Sequence, residues 1–124
     1  MIIAITGLKP FNLIKKIHFL SLSTPLMKKA LSSKGNLHGH SFQNNGYYHT
    51  ITAWENTDYM LEYVFSQAHQ KAIDLFNSLG EGKTCHYEES QIPNQEEALL
   101  YWERNASELA RNKAINLISI ICYD

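Results

Sequence analysis

One histidine has the residue type and the position to act as an acid–base group. His69 continues a stripe of apolar residues with helical spacing, which predicts that it faces a packed surface. The imidazole pKa lies near neutrality, so histidine is a natural general base for a phenolic or enolic proton. The same side chain can instead bond a carbonyl or a tyrosine hydroxyl and fasten a helix to a sheet. His69 is therefore a catalytic candidate, with a structural role as the alternative.

Aromatic side chains precede His69 and are suited to holding a flat ligand. Tyrosine and tryptophan combine an apolar ring with a polar tip, a combination typical of small-molecule pockets. The alternative role for the tryptophan is to anchor a helix to the end of a strand. Five residues with aromatic rings are expected to line a substrate pocket: Trp54, Tyr48, Tyr59, Tyr63 and His49.

Histidine spacing also raises the question of a metal centre. His38 and His40 alternate along a predicted strand and share one face, and His49 or His86 can lie on neighbouring strands. Paired imidazoles bind divalent metals, but no carboxylate or thiolate at ligand spacing completes the set. We therefore expect no metal, and ordinary hydrogen-bond partners for these histidines.

A strand and two helical pieces are predicted before residue 36. Ile2 to Thr6 is a β-branched run closed by Gly7, which indicates a buried strand. Helical spacing extends from Phe11 to Ser33, but Pro25 lacks an N–H and predicts a break into two helices. Gly35 is expected to end the second piece.

A β-hairpin is predicted next. Leu37–Gln43 alternates in character, and Asn44–Gly46 carries the Asn-Gly pair that favours a tight hairpin turn. The return strand, Tyr47–Trp54, is rich in aromatic and β-branched residues. Its alternation predicts two opposite faces, one with Tyr48, Thr50, Thr52 and Trp54, the other with Tyr47, His49, Ile51 and Ala53.

The helix that carries His69 is predicted to be continuous. Asn56 or Thr57 caps it, and it ends near Leu79. A fourth strand is expected at Lys83–Glu89.

A further helix is predicted to run from Asn94 or Gln95 to about Asn112, with Leu109 on its buried side. The apolar tail, Ile115–Tyr123, either extends this helix or forms a last strand, and a strand is favoured.

This order of elements predicts an α+β fold of the ferredoxin-like βαββαβ type, with an extra C-terminal helix. Its antiparallel sheet has two helices on one face. If the other face carries Tyr48 and Trp54, two subunits can pack sheet to sheet as a homodimer.

Composition limits the remaining classes of function. The 124 residues are expected to form one domain, 1–124, with a net charge of −1 and scattered Lys and Arg, so no nucleic-acid partner is expected. Cys85 and Cys122 are far apart, which favours reduced thiols and a cytoplasmic protein. The apolar run Met1–Ile5 is too short for the core of a signal peptide and has no basic segment before it, so no signal peptide is expected. No run approaches the roughly 18 apolar residues of a membrane span. No membrane partner is expected.

The run YYHTITAWENTDYMLEYVFSQAHQKA resembles the dimeric α/β-barrel superfamily of antibiotic biosynthesis monooxygenase-like proteins. More narrowly, the chain resembles an uncharacterised bacterial branch of domains of unknown function, which is itself similar to spheroidene monooxygenase-like proteins. The residues that carry this resemblance are Thr50, Thr52, Trp54, Glu55, Ser66, Ala68 and His69.

The resemblance implies a pocket between the sheet and the helices. It also implies either cofactor-independent monooxygenation of an aromatic or hydrophobic substrate, with no cofactor, or a non-catalytic ligand-binding or interaction module. Haem binding is a third reading. Haem-degrading relatives have an axial histidine near Ile73 and an asparagine in the first strand, where this chain has Ala4, Ile5 and Thr6.

Overall fold

The computed structural model describes residues 1–108. The strands are β1 (Ile2–Pro10), β2 (Asn36–Asn44), β3 (Tyr47–Trp54), β4 (Gly80–Glu88) and the short β5 (Ser107–Glu108). The helices are α1 (Leu13–Ser32), α2 (Thr57–Val64), α3 (Gln67–Leu79) and α4 (Gln95–Asn105). None of these helices has both the length and the hydropathy needed to cross a membrane.

The strands form one antiparallel sheet in the order β2-β3-β1-β4-β5. Ile5 at the centre of β1 lies opposite Ile51 of β3 on one side and Cys85 of β4 on the other. Asn45 and Gly46 connect β2 to β3 with positive φ angles of 50° and 82°, as a two-residue turn of type I′ requires. The predicted ferredoxin-like fold is confirmed, with α4 as the additional helix.

Helices cover both faces of the sheet. Trp54 packs with Ala30 and Met60 beneath α1 and α2, and Tyr48 packs against Phe19 of α1. Trp102 of α4 belongs to the core on the opposite face. The prediction that Tyr48 and Trp54 lie on the face left for a second subunit was therefore wrong. Their size and apolar character fit either face, and only the packing of the helices distinguishes the two.

Strand β1 continues to Pro10 and does not end at Gly7 as predicted. A Cβ added to Gly7 would lie 2.6 Å from Cζ2 of Trp102 and 2.7 Å from Nδ1 of His49. Glycine is thus required here so that two rings can approach the backbone, and not for a turn.

Helix α1 passes through Pro25 without interruption, so the predicted break there was wrong. A proline inside a helix costs about 3 kcal/mol through a lost hydrogen bond and a clash. Pro25 is exposed, whereas Phe19 before it and Ala30 after it are buried. The hydroxyl of Thr24 also donates to the Leu20 carbonyl at 3.1 Å. The burial of both halves offsets the cost of the proline.

Helix α4 starts as predicted but ends earlier. Asn94 and Glu97 form a reciprocal capping box, with N–H···O distances of 2.8 and 3.2 Å. The helix ends at Asn105 and not near Asn112, because the backbone then pairs with β4, with Ser107 opposite Thr84. Leu109 and the predicted tail element, 115–123, lie outside the described residues.

Candidate functional site

A cavity of about 140 Å³ lies between the sheet and helices α1, α2 and α3. An apolar cavity of about 150 Å³ in another protein holds benzene, so this one has room for a single aromatic ring. Alternating residues of the central strands form its floor: Ala4, Thr6, Leu8, Tyr48, Thr50, Thr52, Trp54, Thr84 and His86. Helix side chains form its roof, among them Phe19, Leu26, Met60, Tyr63, His69, Ile73 and Phe76.

His69 is placed in this roof by a break between α2 and α3. Ser66 caps α3, and its hydroxyl accepts a hydrogen bond from the His69 backbone N–H at 3.4 Å. The Gln70 side chain donates to the Val64 carbonyl, at the end of α2, at 2.7 Å. The prediction of one helix over 57–79 was therefore wrong. Ser66 and Gln70 satisfy backbone groups that the break would otherwise leave unpaired.

Tyr63 connects His69 to Trp54. The His69 imidazole meets the Tyr63 ring edge-on, with centroids 5.0 Å apart and an interplanar angle of 68°. Tyr63 stacks on Trp54 at 5.2 Å and 26°. The Tyr63 hydroxyl donates to the Leu26 carbonyl at 3.2 Å, and burial raises the pKa of Tyr63 well above its usual value. The phenol therefore stays protonated and holds the ring in place.

Burial keeps the His69 imidazole neutral. The residue is only partly buried, but its Nδ1 is closed off from solvent and has no hydrogen-bond partner within residues 1–108. Burial lowers the pKa of His69 to about 4, and the Val64 carbonyl opposes this shift in part. At neutral pH the imidazole is uncharged, so one ring nitrogen is free to accept a proton.

Threonine hydroxyls give the cavity floor its polar groups. Thr6 lies opposite Thr50 in the sheet, and their hydroxyls are hydrogen-bonded to each other. The Trp54 indole N–H donates to the Thr52 hydroxyl at 3.0 Å. Because Thr52 accepts this bond, its own O–H remains as a donor that can orient a bound ligand.

A second, more open groove adjoins the cavity. It has a volume of about 360 Å³ and lies between α1 and strands β2 and β3. The groove and the cavity share five lining residues: Phe19, Ser23, Met27, Tyr48 and Thr50. These shared side chains therefore separate the groove from the cavity beside α1.

No known protein-family profile matches the chain, and no curated protein is significantly similar to it in sequence. Solved structures do resemble it. A Deinococcus radiodurans protein named for the antibiotic biosynthesis monooxygenases superimposes with a TM-score of 0.67 at 19% identity, covering 76% of this chain and 97% of that one. SnoaB, a cofactor-independent oxygenase from Streptomyces nogalater, gives 0.62 at 10% identity, covering 75% and 97%.

A dimeric ferredoxin-like protein of unknown function from Jannaschia gives a TM-score of 0.64 at 13% identity, covering 71% of this chain and 98% of that one. The chain has their fold. At these identities the likeness establishes the fold alone, since one fold hosts many activities.

Within this fold, four of the predicted site residues meet in one cavity and two lie elsewhere. Tyr59 packs over Gly35 at the end of α1, where the positive φ of 83° suits glycine, and it is not part of the cavity wall. His49 lies on the opposite face of the sheet. The residues that the cavity brings together are Tyr48, Trp54, Tyr63 and His69.

His49 fastens α4 to the sheet. It is fully buried, its Nδ1 lies 3.2 Å from the Thr6 carbonyl, and its ring meets Trp102 edge-on at 4.6 Å. Phe42 stacks on its other side at 5.0 Å. Burial lowers the pKa of His49, and the Thr6 carbonyl and Glu103 oppose this shift. Alternation along β3 already separated His49 from Tyr48, so the sequence contained the signal that excludes it from the cavity.

His86, predicted only as a possible metal ligand, lines the cavity. It is 4% exposed and lies opposite Ala4 in the sheet, two residues after Thr84, which lies opposite Thr6. Alternation along β4 therefore directs both side chains to the same floor. The identity of that face became clear only once the strand order was known.

The remaining metal and nucleophile candidates lie outside the cavity or are unreactive. Nε2 of His38 lies 2.7 Å from Nδ1 of His40, so the two imidazoles share one hydrogen bond. Burial, and then the charge of His38, lowers the pKa of His40. Residues 1–108 contain no group of three or more ligands suited to a metal. Burial raises the pKa of the Cys85 thiol to about 12, which keeps it protonated.

Proposed function

We propose that this protein binds a small aromatic or hydrophobic molecule in the cavity beneath α2 and α3 and oxidises it with molecular oxygen, without a cofactor. The observation that carries the proposal is a neutral, buried imidazole at His69 in a cavity walled by Trp54 and Tyr63. The fold of SnoaB, a cofactor-independent oxygenase, supports the same class of reaction.

The chemistry needs a base and a dry, aromatic cavity. His69 takes the proton from a phenolic or enolic group, and the resulting anion reacts with oxygen at an adjacent carbon. A methylene group then becomes a carbonyl: the substrate loses two hydrogens and gains one oxygen atom, and the second oxygen atom leaves as water. The substrate anion and the imidazolium stabilise each other, so binding of the anion raises the pKa of His69.

Oxygen uptake with a panel of single-ring phenols and enols tests this proposal. We expect the wild type to consume oxygen and the variants His69→Ala and His69→Gln to lose at least about a hundredfold in rate, as for a lost general base. His49→Gln is the matched control, since that imidazole lies on the other face. Loss of activity together with a lower melting temperature in His69→Gln would favour a structural role for His69.

A non-catalytic ligand-binding module is the second candidate, and the low pKa of His69 favours it. An imidazole with a pKa of about 4 is a weak base towards a phenol, whose pKa is near 10. Quenching of Trp54 fluorescence in a Trp102→Phe background measures binding separately. Quenching without oxygen uptake would indicate a ligand-binding module and not an enzyme. An unchanged Soret band when haem is added to the protein would exclude haem binding as a function.

We also propose a cytoplasmic homodimer. A structural neighbour described as a dimeric ferredoxin-like protein supports the dimer. Sedimentation equilibrium measures the mass directly, and a mass of 14.2 kDa at micromolar concentration would contradict it.

A further inference from the structure

The floor of the cavity carries more hydroxyl donors than the chain supplies with acceptors. Thr52 Oγ1 accepts from the Trp54 indole N–H at 3.0 Å, and within residues 1–108 no group accepts the Thr52 O–H in return. The hydroxyls of Thr6 and Thr50 are bonded to each other, so one of them donates and the other keeps its own O–H. All three threonines line the cavity. Two O–H donors therefore remain for a ligand.

The surroundings of Thr52 leave its hydroxyl accessible from the cavity. Ala4 of β1 lies opposite Thr52 in the sheet and also lines the cavity. Because the Ala4 side chain is a single methyl group, a ligand atom has room to approach the Thr52 hydroxyl from that side. Thr84, the fourth threonine of the floor, differs in that its hydroxyl already donates to the Ile5 carbonyl at 3.4 Å. The spare donors are thus a property of particular threonines and not of the whole floor.

The absence of charge in the cavity wall limits the ligand group that fits these donors. The described residues that line the cavity include no Lys, Arg, Asp or Glu, and the low pKa of His69 keeps the imidazole in the roof uncharged. A ligand that arrives as an anion would therefore lose its hydration without gaining a partner of opposite charge. A carbonyl oxygen is neutral and has two lone pairs, so it can accept from both hydroxyls.

We propose that the cavity selects an aromatic aldehyde or ketone, whose carbonyl oxygen accepts from Thr52 and from the spare hydroxyl of the Thr6–Thr50 pair. This inference rests on the proposed function in requiring that an aromatic ligand enters the cavity, and it applies equally to an oxygenase and to a binding module. The Trp54 N–H polarises the Thr52 hydroxyl and makes it a stronger donor. In an oxygenase the same donors stabilise the negative charge that a phenolate spreads onto a conjugated carbonyl.

Titration calorimetry of the full chain with two ligands of the same shape, benzaldehyde and styrene, tests the proposal. Styrene has a methylene group in place of the carbonyl oxygen and leaves water more readily, so a cavity without spare donors would bind styrene more tightly. We expect the wild type to bind benzaldehyde at least as tightly as styrene. In Thr52→Val, which keeps the shape of the side chain, the ratio of the two affinities should shift about tenfold towards styrene.

Two further variants are controls for this ratio of affinities. Thr52→Ser keeps the hydroxyl, and Thr84→Val removes a hydroxyl that already donates to a backbone carbonyl, so both should give the wild-type ratio. Tighter binding of styrene by the wild type, an unchanged ratio in Thr52→Val, or an equal shift in Thr84→Val would overturn the proposal and leave the proposed function intact. Failure of both ligands to bind the wild type would overturn both.

Infrared spectroscopy of the wild type provides a test that needs no variant. It is required because Thr52→Val also removes the acceptor of the Trp54 indole N–H, which should lower the melting temperature. Hydrogen bonds from the two hydroxyls should lower the carbonyl stretching frequency of bound benzaldehyde below its value in cyclohexane. Equal frequencies would show that the carbonyl meets no donor and would overturn the proposal.

Discussion

The imidazole of His69 meets the ring of Tyr63 edge-on at 5.0 Å in the roof of the cavity. Tyr63 shields one side of the imidazole from water, and its own hydroxyl is directed away to Leu26. His69 is therefore desolvated without a charged partner, which explains why its pKa falls.

Stability should decrease as the pH falls from about 6.5 to about 4. The imidazole pKa is about 6.5 in an unfolded chain and about 4 in the folded protein, so between these values only the unfolded chain binds the proton. The free energy of unfolding should drop by about 3 kcal/mol across this range because of His69. Urea unfolding of the wild type and of His69→Gln at several pH values isolates this contribution. An identical pH profile for the two proteins would refute it.

Removal of the Ser66 cap at the start of α3 should destabilise that helix and disturb the position of His69. Ser66→Ala loses the acceptor for the His69 backbone N–H, which costs about 1 kcal/mol. Ser78→Ala is the control, because the Ser78 hydroxyl bonds only to the Leu75 carbonyl of its own helix and should change stability by less than about 0.5 kcal/mol. Thermal unfolding distinguishes them, and equal melting temperatures would contradict the role of Ser66.

Addition of a single methyl group at Gly7 should destabilise the fold by about 1–3 kcal/mol. In Gly7→Ala the new Cβ would overlap both Trp102 and His49, and neither ring can withdraw without moving α4 or β3. Combination with Trp102→Leu should give a loss smaller than the sum of the two single losses, because the overlap is partly relieved. Chemical denaturation of the three variants measures this coupling, and strict additivity would argue against the contact.

The size of the cavity should decide which ligands bind. A volume of about 140 Å³ admits a single ring, so the wild type should bind phenol and exclude 1-naphthol. Ile73→Ala enlarges the roof and should admit 1-naphthol, at a loss of about 2–5 kcal/mol in stability. Ile3→Ala is the matched control. It removes the same side-chain atoms from a buried position, but on the α4 face, so it should not admit 1-naphthol. Titration calorimetry measures both ligands, and 1-naphthol binding by the wild type would contradict the size limit.

Local patterns in the sequence were enough to determine the class of fold. The alternation in Tyr47–Trp54 and the Asn-Gly turn before it depend on neighbouring residues only, and both match the structure. The Asn94 cap is also local, since Glu97 bonds back to it within one turn. Alternation likewise separated Tyr48 from His49, although not in a way that showed which face the helices cover.

Contacts between distant residues decided the rest. Pro25 remains in a helix because residues on both sides of it pack on the sheet, and Gly7 remains in a strand because Trp102 approaches it from α4. His86 lines the cavity because β4 pairs with β1, and that pairing places His86 opposite Ala4. The sequence by itself determined the order of the main strands and helices and the presence of His69 on a packed surface. The tertiary structure determined the break between α2 and α3, the cavity that His69 lines and the uncharged state of its imidazole. Burial decides that state, and burial depends on the arrangement of the whole chain.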